Sequence, residues 1–286
     1  MERVIDAHSH LQPRAMVHAH IRRRMADTGH LKEFNAFLRS PARFVAHLDA
    51  IGVERAWLIN YVAPEVIGFT ADVNDWVAAY SRDFRDRLVP FGSVHPLVTR
   101  DCKTEAERLL SKLELPGLKV HPPHQEFAPN AYLEQKRFRG LRQVYAAAER
   151  HGAVVMVHTG TSVFAGARSR LGDPMLVDDV AVDFPDLKIV LAHGGRPLWC
   201  DAAFFLARRH KNVWIDLSSI PPNAVLRYFP RLAELPGKFL FGSDWPAPGV
   251  PGIGENLAGF RGLHLSAAVR KAILGDNAAK LIRSGR

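Results

Sequence analysis

Cysteine is nearly absent from this chain, and the shortage excludes several functions at once. Only Cys102 and Cys200 occur among 286 residues, and no Cys-x-x-Cys pair exists. A zinc ribbon, a dithiol redox motif and a disulfide scaffold are therefore excluded, and two ordinary reduced thiols are expected. Long apolar runs are missing too. The stretch 153–157 is among the longest, far short of the roughly 20 residues a membrane span needs. The first ten residues carry Glu2, Arg3, Asp6 and two histidines where a secretory leader would be apolar. No membrane partner and a cytoplasmic location are expected. No Gly-x-Gly-x-x-Gly turn follows the first apolar run, which leaves dinucleotide binding without support. No repeat, low-complexity tract or Gly/Ser-rich linker divides the chain, so a single domain over 1–286 is expected.

Acids are fewer than bases, 29 against 38, which gives a net charge of +9. A nucleic-acid face would concentrate that charge. Here the densest cluster is Arg22-Arg23-Arg24, and the other bases are scattered among acids. A general basic bias, with a small anionic substrate, is the preferred reading.

The hydrophobic fraction of 47% supports a sizeable core. Eight short β-rich runs stand out at 4–8, 56–61, 88–94, 117–121, 154–158, 188–193, 213–217 and 239–243. Amphipathic stretches separate them at 41–51, 73–84, 105–113, 133–151, 174–183, 198–210 and 224–235. Two more, at 256–263 and 267–274, follow the last run. Ser40 is placed to cap the first helix, and Gly152 to stop the fourth. Eight strand–helix pairs predict an α/β fold, a (β/α)8 TIM barrel. The doubly wound open sheet is the alternative. Residues 11–40 fit no repeat unit. This long insertion after the first strand is either a solvated helical excursion or a lid or homo-oligomer contact over the barrel mouth.

Side chains two apart on a strand share a face. His8 and His10 therefore project together, with Asp6 on the same face. Two neutral imidazoles side by side can bind one divalent metal. Other strand ends repeat the pattern, with Lys119 and His121 after the fourth run, His158 after the fifth, His193 after the sixth and Asp244 after the eighth. In a barrel these ends share one rim, where the catalytic groups of this fold sit. Packing alone does not account for five strands ending in ligand-type residues.

The phrases IDAHSH, GLKVHP, VHTG, LAHGG and FGSDWP, in this order from residue 5 to residue 246, resemble the amidohydrolase superfamily. The resemblance is to its amidohydrolase-related branch, which includes aminocarboxymuconate-semialdehyde decarboxylase and related decarboxylases, hydratases and lactonases. It implies that His8, His10, His158 and Asp244 hold a divalent metal, with Asp244 also the general base. It implies that His193 either polarises the substrate or binds a second metal. By the same resemblance Lys119 bridges two metals as a carboxylated lysine; the alternatives are an ordinary lysine that binds a substrate carboxylate or one half buried beside an acid. Three His and one Asp suit Zn²⁺, one or two per chain, with a position left for water.

His121, Arg196, Arg168, Phe164 and Trp245 are candidate substrate contacts. The arginines suit a carboxylate, although Arg168 and Arg170 also suit surface pairs with Asp173 or Asp201. His124 is expected outside the site, Asp216 in a supporting role, and Asp276-Asn277 at a helix turn. The activity implied is hydrolysis, in which a metal-bound hydroxide attacks an amide, lactone or ester carbonyl of an anionic small molecule. The alternative is metal-dependent non-oxidative decarboxylation of an unsaturated or aromatic carboxylate. A non-catalytic basic binding protein ranks last, because it leaves the strand-end ligands unexplained.

Overall fold

A computed structural model describes residues 2–26 and 29–282 of the chain. Eight strands neighbour one another in chain order: β1 Ile5–Ser9, β2 Arg55–Ile59, β3 Leu88–Gly92, β4 Gly117–Val120, β5 Val154–His158, β6 Lys188–Ala192, β7 Val213–Asp216 and β8 Phe239–Leu240. Every pairing along this order is parallel. The chain after β8 runs on beside β1. Ala7 N donates to Phe241 O at 2.9 Å, Asp244 N to His8 O at 2.7 Å and His10 N to Trp245 O at 2.7 Å. Those bonds close the sheet into the expected (β/α)8 barrel.

Alternation along each strand sorts the core into two layers. Ala56 and Leu58, Val155 and Val157, and Ile189 and Leu191 face outward onto the helices. Trp57 and Ile59, Val154 and Met156, and Val190 and Ala192 fill the barrel interior. Ala278, Leu281 and Ile282 join the interior layer from below. Asn277 fixes that C-terminal helix by donating to Pro236 O at 2.7 Å and Phe239 O at 2.9 Å. The N-terminal end of the barrel is thus plugged by apolar side chains, which leaves the C-terminal end for polar ones.

β1 departs from simple alternation. Asp6 pairs with Ala56 and Ser9 with Leu58, so Ala7 and His8 together oppose the single residue Trp57. This β-bulge shifts the parity. His8 and His10 turn inward, while Asp6 does not share their face as the two-residue period predicts. Its buried carboxylate accepts from Ser243 Oγ at 2.7 Å and Ser243 N at 2.8 Å, which ties β1 to the segment carrying Asp244.

The insertion 11–40 folds into helices Ala19–Ala26 and Leu31–Arg39. Residues 27 and 28 and the side chain of Arg24 lie outside the described residues. The segment is not a solvated excursion. Phe34 and Phe37 are buried against Trp245, with ring centroids 6.1 and 5.6 Å away. Val17 and Ile21 pack with Tyr61, Ile67 and Phe69. The helix expected over 224–235 is instead broken into Val225–Tyr228 and Leu232–Glu234. Pro230, which lacks a backbone N–H, falls between the two pieces. Among the described residues no helix is long and apolar enough to cross a membrane.

Ser40 caps helix Pro41–Ala50 as expected, its Oγ accepting from Arg43 N at 3.3 Å. Chemical denaturation of Ser40→Ala is expected to show a loss of about 1 kcal/mol, and Ser40→Gly only a few tenths.

Candidate active site

The strand ends converge at the open end of the barrel as the sequence predicts. His8 is fully buried. Its Nδ1–H donates to Asp216 Oδ2 at 2.6 Å, which turns Nε2 inward. His10 donates Nδ1–H to Ile59 O at 2.8 Å, and its Nε2 lies 3.2 Å from that of His8. Asp244 Oδ1 stands 3.4 Å from His8 Nε2 and 3.0 Å from His10 Nε2. The other oxygen of Asp244 accepts a short bond from Ser219 Oγ. His193 Nδ1 faces Ser218 O at 3.2 Å and Ser218 Oγ at 2.9 Å, and its ring lies 4.9 Å from that of His8. Three imidazoles are therefore anchored through Nδ1 and present Nε2 to one region.

Burial has electrostatic consequences here. Desolvation pushes His8 down to about 4, with the Lys119 charge acting in the same direction. Desolvation also carries His193 and His158 well below the usual imidazole value. Burial thus favours the neutral form of these rings, the form that binds metal. Burial works to raise Asp244, yet His193, His10 and His8 hold it well below the usual carboxylate range. Lys119 is 1% exposed, and desolvation lowers it to about 8 against the attraction of Asp216 and Asp244.

The backbone is bent sharply at this place. His193 (φ 64°), Ser219 (φ 57°) and Asp244 (φ 67°) are non-glycine residues in the left-handed region. Such conformations cost about 1–3 kcal/mol each and concentrate at functional sites. Gly242 is needed for a different reason. A Cβ there would fall 2.4 Å from Asp216 Oδ1 and 2.9 Å from His8 Cβ.

A divalent metal fits these residues by the chemistry of the donors. One atom each from His8, His10 and Asp244 lies within 4.8 Å of the others. A second such group is His8, His193 and Asp216, but Asp216 is engaged with His8 Nδ1 and acts as its orienting partner. His158 Nε2 and Lys119 Nζ are buried without a hydrogen-bond partner. His158 joins neither group. It stacks on His121 at 3.9 Å and meets His193 edge-on at 4.7 Å.

The site opens into a cavity of about 520 Å³. His10, His121, His158, His193, Asp244, Arg196 and Phe164 line it, with Tyr61, Phe69 and Tyr228. The remaining candidates fall elsewhere. Arg168 is exposed and pairs with Glu126 at 3.2 Å, and Arg170 is exposed. Trp245 is 1% exposed and packs under the site against Phe34, Phe37 and Phe44. Lys119 is not part of the lining. His124, expected outside, is 2% exposed, lines the cavity and stacks on His121 at 3.6 Å. Its position in His-Pro-Pro-His places it one helical turn beyond His121, a signal the sequence did carry. Tyr61, Ser218 and Ser219 had no motif to mark them.

The family model described as Amidohydrolase matches residues 5–283. The chain belongs to this family. The superfamily is one of metal-dependent enzymes, and the fold and strand-end donors agree with that membership. A search of curated proteins found no match. Among solved structures the chain is similar to an uncharacterised TIM-barrel protein from Bordetella bronchiseptica, with 22% identity, 98% of each chain covered and a TM-score of 0.75. It is also similar to a probable 2-pyrone-4,6-dicarboxylic acid hydrolase from Acinetobacter baumannii with citric acid bound, at 17% identity, 98% of this chain, 99% of that chain and TM-score 0.66. A third is a 5-carboxyvanillate decarboxylase from Novosphingobium aromaticivorans with manganese and 3-methoxy-4-hydroxy-5-nitrobenzoic acid bound, at 15% identity, 98% of this chain, 95% of that chain and TM-score 0.63. At these identities the likeness is one of fold.

Asp216→Asn keeps the size of the side chain but weakens its hold on His8 Nδ1–H. Zinc titration against a competing chelator is expected to show affinity lower by about 10–100-fold, with an unchanged circular dichroism spectrum.

Proposed function

We propose that this protein is a metal-dependent hydrolase acting on a small carboxylate-bearing molecule. The observation that carries the reading is the convergence of His8 Nε2, His10 Nε2 and Asp244 Oδ1 within 3.4 Å, where His10 and Asp244 line the cavity. His8, His10 and Asp244 would hold the metal, zinc being the ion their chemistry suits, with His158 as a further ligand. When bound, the metal supplies Lewis acidity, which polarises a carbonyl and acidifies water. Asp244, held at its other oxygen by Ser219, takes the proton from the attacking water and returns it to the leaving group. His193 presents Nε2 to the substrate oxygen. Arg196, mostly enclosed, has a buried Nε without a partner and takes a substrate carboxylate. The insertion 11–40 supplies part of the cavity wall through Ile21 and serves as its cover.

A second reading, non-oxidative decarboxylation, is favoured by one feature. The wall carries Tyr61, Phe69, Phe164 and Tyr228, surfaces suited to a planar unsaturated acid. The same Asp244 would then take a proton from water and pass it to the carbon that loses carbon dioxide.

The two readings separate in one screen. Zinc-loaded protein is offered lactones, amides and muconate- or benzoate-type acids, and acid release and carbon dioxide release are followed in parallel. Acid release without carbon dioxide supports hydrolysis, and stoichiometric carbon dioxide supports the second reading. In either case Asp244→Asn is expected to lower kcat by about 100- to 10,000-fold. Full activity in that variant would overturn the assignment.

A further inference from the structure

A hydrogen-bonded chain crosses the cavity wall beside the donor cluster, and the proposed reaction makes no use of it. Tyr61 Oη lies 3.0 Å from His124 Nδ1, and His124 Nε2 lies 2.8 Å from Ser162 Oγ. All three residues line the cavity. Tyr61 and His124 are buried, and Ser162 sits on the loop after β5. The loop fixes Ser162 from two further directions. Phe164 N donates to Ser162 Oγ at 3.3 Å, and Ser162 N donates to Ser169 Oγ at 3.2 Å.

The direction of this chain follows from acidity. A phenol is a better donor than an aliphatic alcohol, and the alcohol oxygen is the better acceptor. Tyr61 therefore donates its O–H to His124 Nδ1. That leaves the neutral ring with its hydrogen on Nε2, which donates to Ser162 Oγ. Ser162 then accepts two bonds, from His124 and from Phe164 N. Its lone pairs are filled, and its one hydrogen has no acceptor among the described residues. The side chain can only donate, into the cavity.

We infer that Ser162 is a specificity residue that donates to an acceptor oxygen of the ligand, with Tyr61 and His124 as its positioning residues. The ligand class is a small planar acid carrying a carbonyl or carboxylate oxygen in addition to the carboxylate held at Arg196. The inference rests on the reading that Arg196 binds a substrate carboxylate. Thr161 N donates to Arg196 O at 3.1 Å, so the two rim segments are neighbours and a ligand held at one lies beside the other. A ligand N–H at the same place would meet no free lone pair on Ser162, so an amide nitrogen is disfavoured there.

The test uses two probes of similar shape, 4-acetylbenzoate, which carries a ketone oxygen, and 4-isopropylbenzoate, which does not. Their dissociation constants are measured on the full-length zinc-loaded protein by ligand-observed NMR titration. The wild type is expected to bind the acetyl compound about tenfold more tightly, the ratio that one net hydrogen bond supplies. Ser162→Ala brings the ratio to about one while the isopropyl compound binds as before, and Ser162→Thr restores the preference. Tyr61→Phe is expected to shift the His124 ring away from its single Nε2–H tautomer, seen in ¹⁵N chemical shifts without any ligand. Equal binding of both acids by the wild type, or a His124 tautomer unmoved by Tyr61→Phe, overturns the inference and leaves the carboxylate reading standing. Binding of neither acid overturns the carboxylate reading and the inference with it.

Discussion

The hydrogen bond from His8 Nδ1 to Asp216 is the contact on which the rest of the site depends. It lies fully inside the protein and joins the first strand to the seventh. An imidazole has two nitrogens, and only the one without a hydrogen can hold a metal. Asp216 takes the hydrogen on Nδ1, and that choice turns Nε2 toward His10 Nε2 and Asp244 Oδ1. Ser218 strengthens the arrangement by donating to the same carboxylate at 2.6 Å while its oxygen lies 2.9 Å from His193 Nδ1. One carboxylate and one hydroxyl thereby orient two rings. Gly242 leaves the space this packing requires.

The barrel supplies the second constraint. Ligand atoms on strands far apart in sequence must meet within a few ångströms, and closure of the sheet between β8 and β1 does this for His8, His10 and Asp244. The clamp of Asp6 on Ser243 holds that seam. The left-handed backbone at His193, Ser219 and Asp244 then turns each side chain off its strand toward the centre. The strain is retained because the surrounding hydrogen bonds determine it from several directions.

Most of the fold was legible in the sequence because barrel strands are short apolar runs with ligand-type ends. The run ending at His158 coincides with β5 residue for residue, and the other strands shift by a residue or a few at their ends. The two-residue period misplaces Asp6 because a bulge leaves no mark in it. Pro230 did carry a breaker signal, which the apolar spacing of 224–235 overrode. Within the site, His8, His10 and Asp244 were legible from motifs. Arg168 and Trp245 were not separable from cavity residues, since adjacency along the chain does not say which side chain turns inward. His124 is hard to place from sequence because a loop histidine carries no periodic signal, although its spacing from His121 holds one. Tyr61 and Ser162 become visible only when the fold brings the loops after β2, β4 and β5 together.

The central claim is that His8, His10 and Asp244 form a metal centre whose rings bind through Nε2. Anomalous diffraction at the zinc edge from crystals of zinc-loaded protein tests it most directly. The account predicts a peak at about 2.0–2.2 Å from His8 Nε2, His10 Nε2 and an Asp244 carboxylate oxygen. A fully occupied peak bound to other residues, or no peak in protein that retains its native fold, would contradict it.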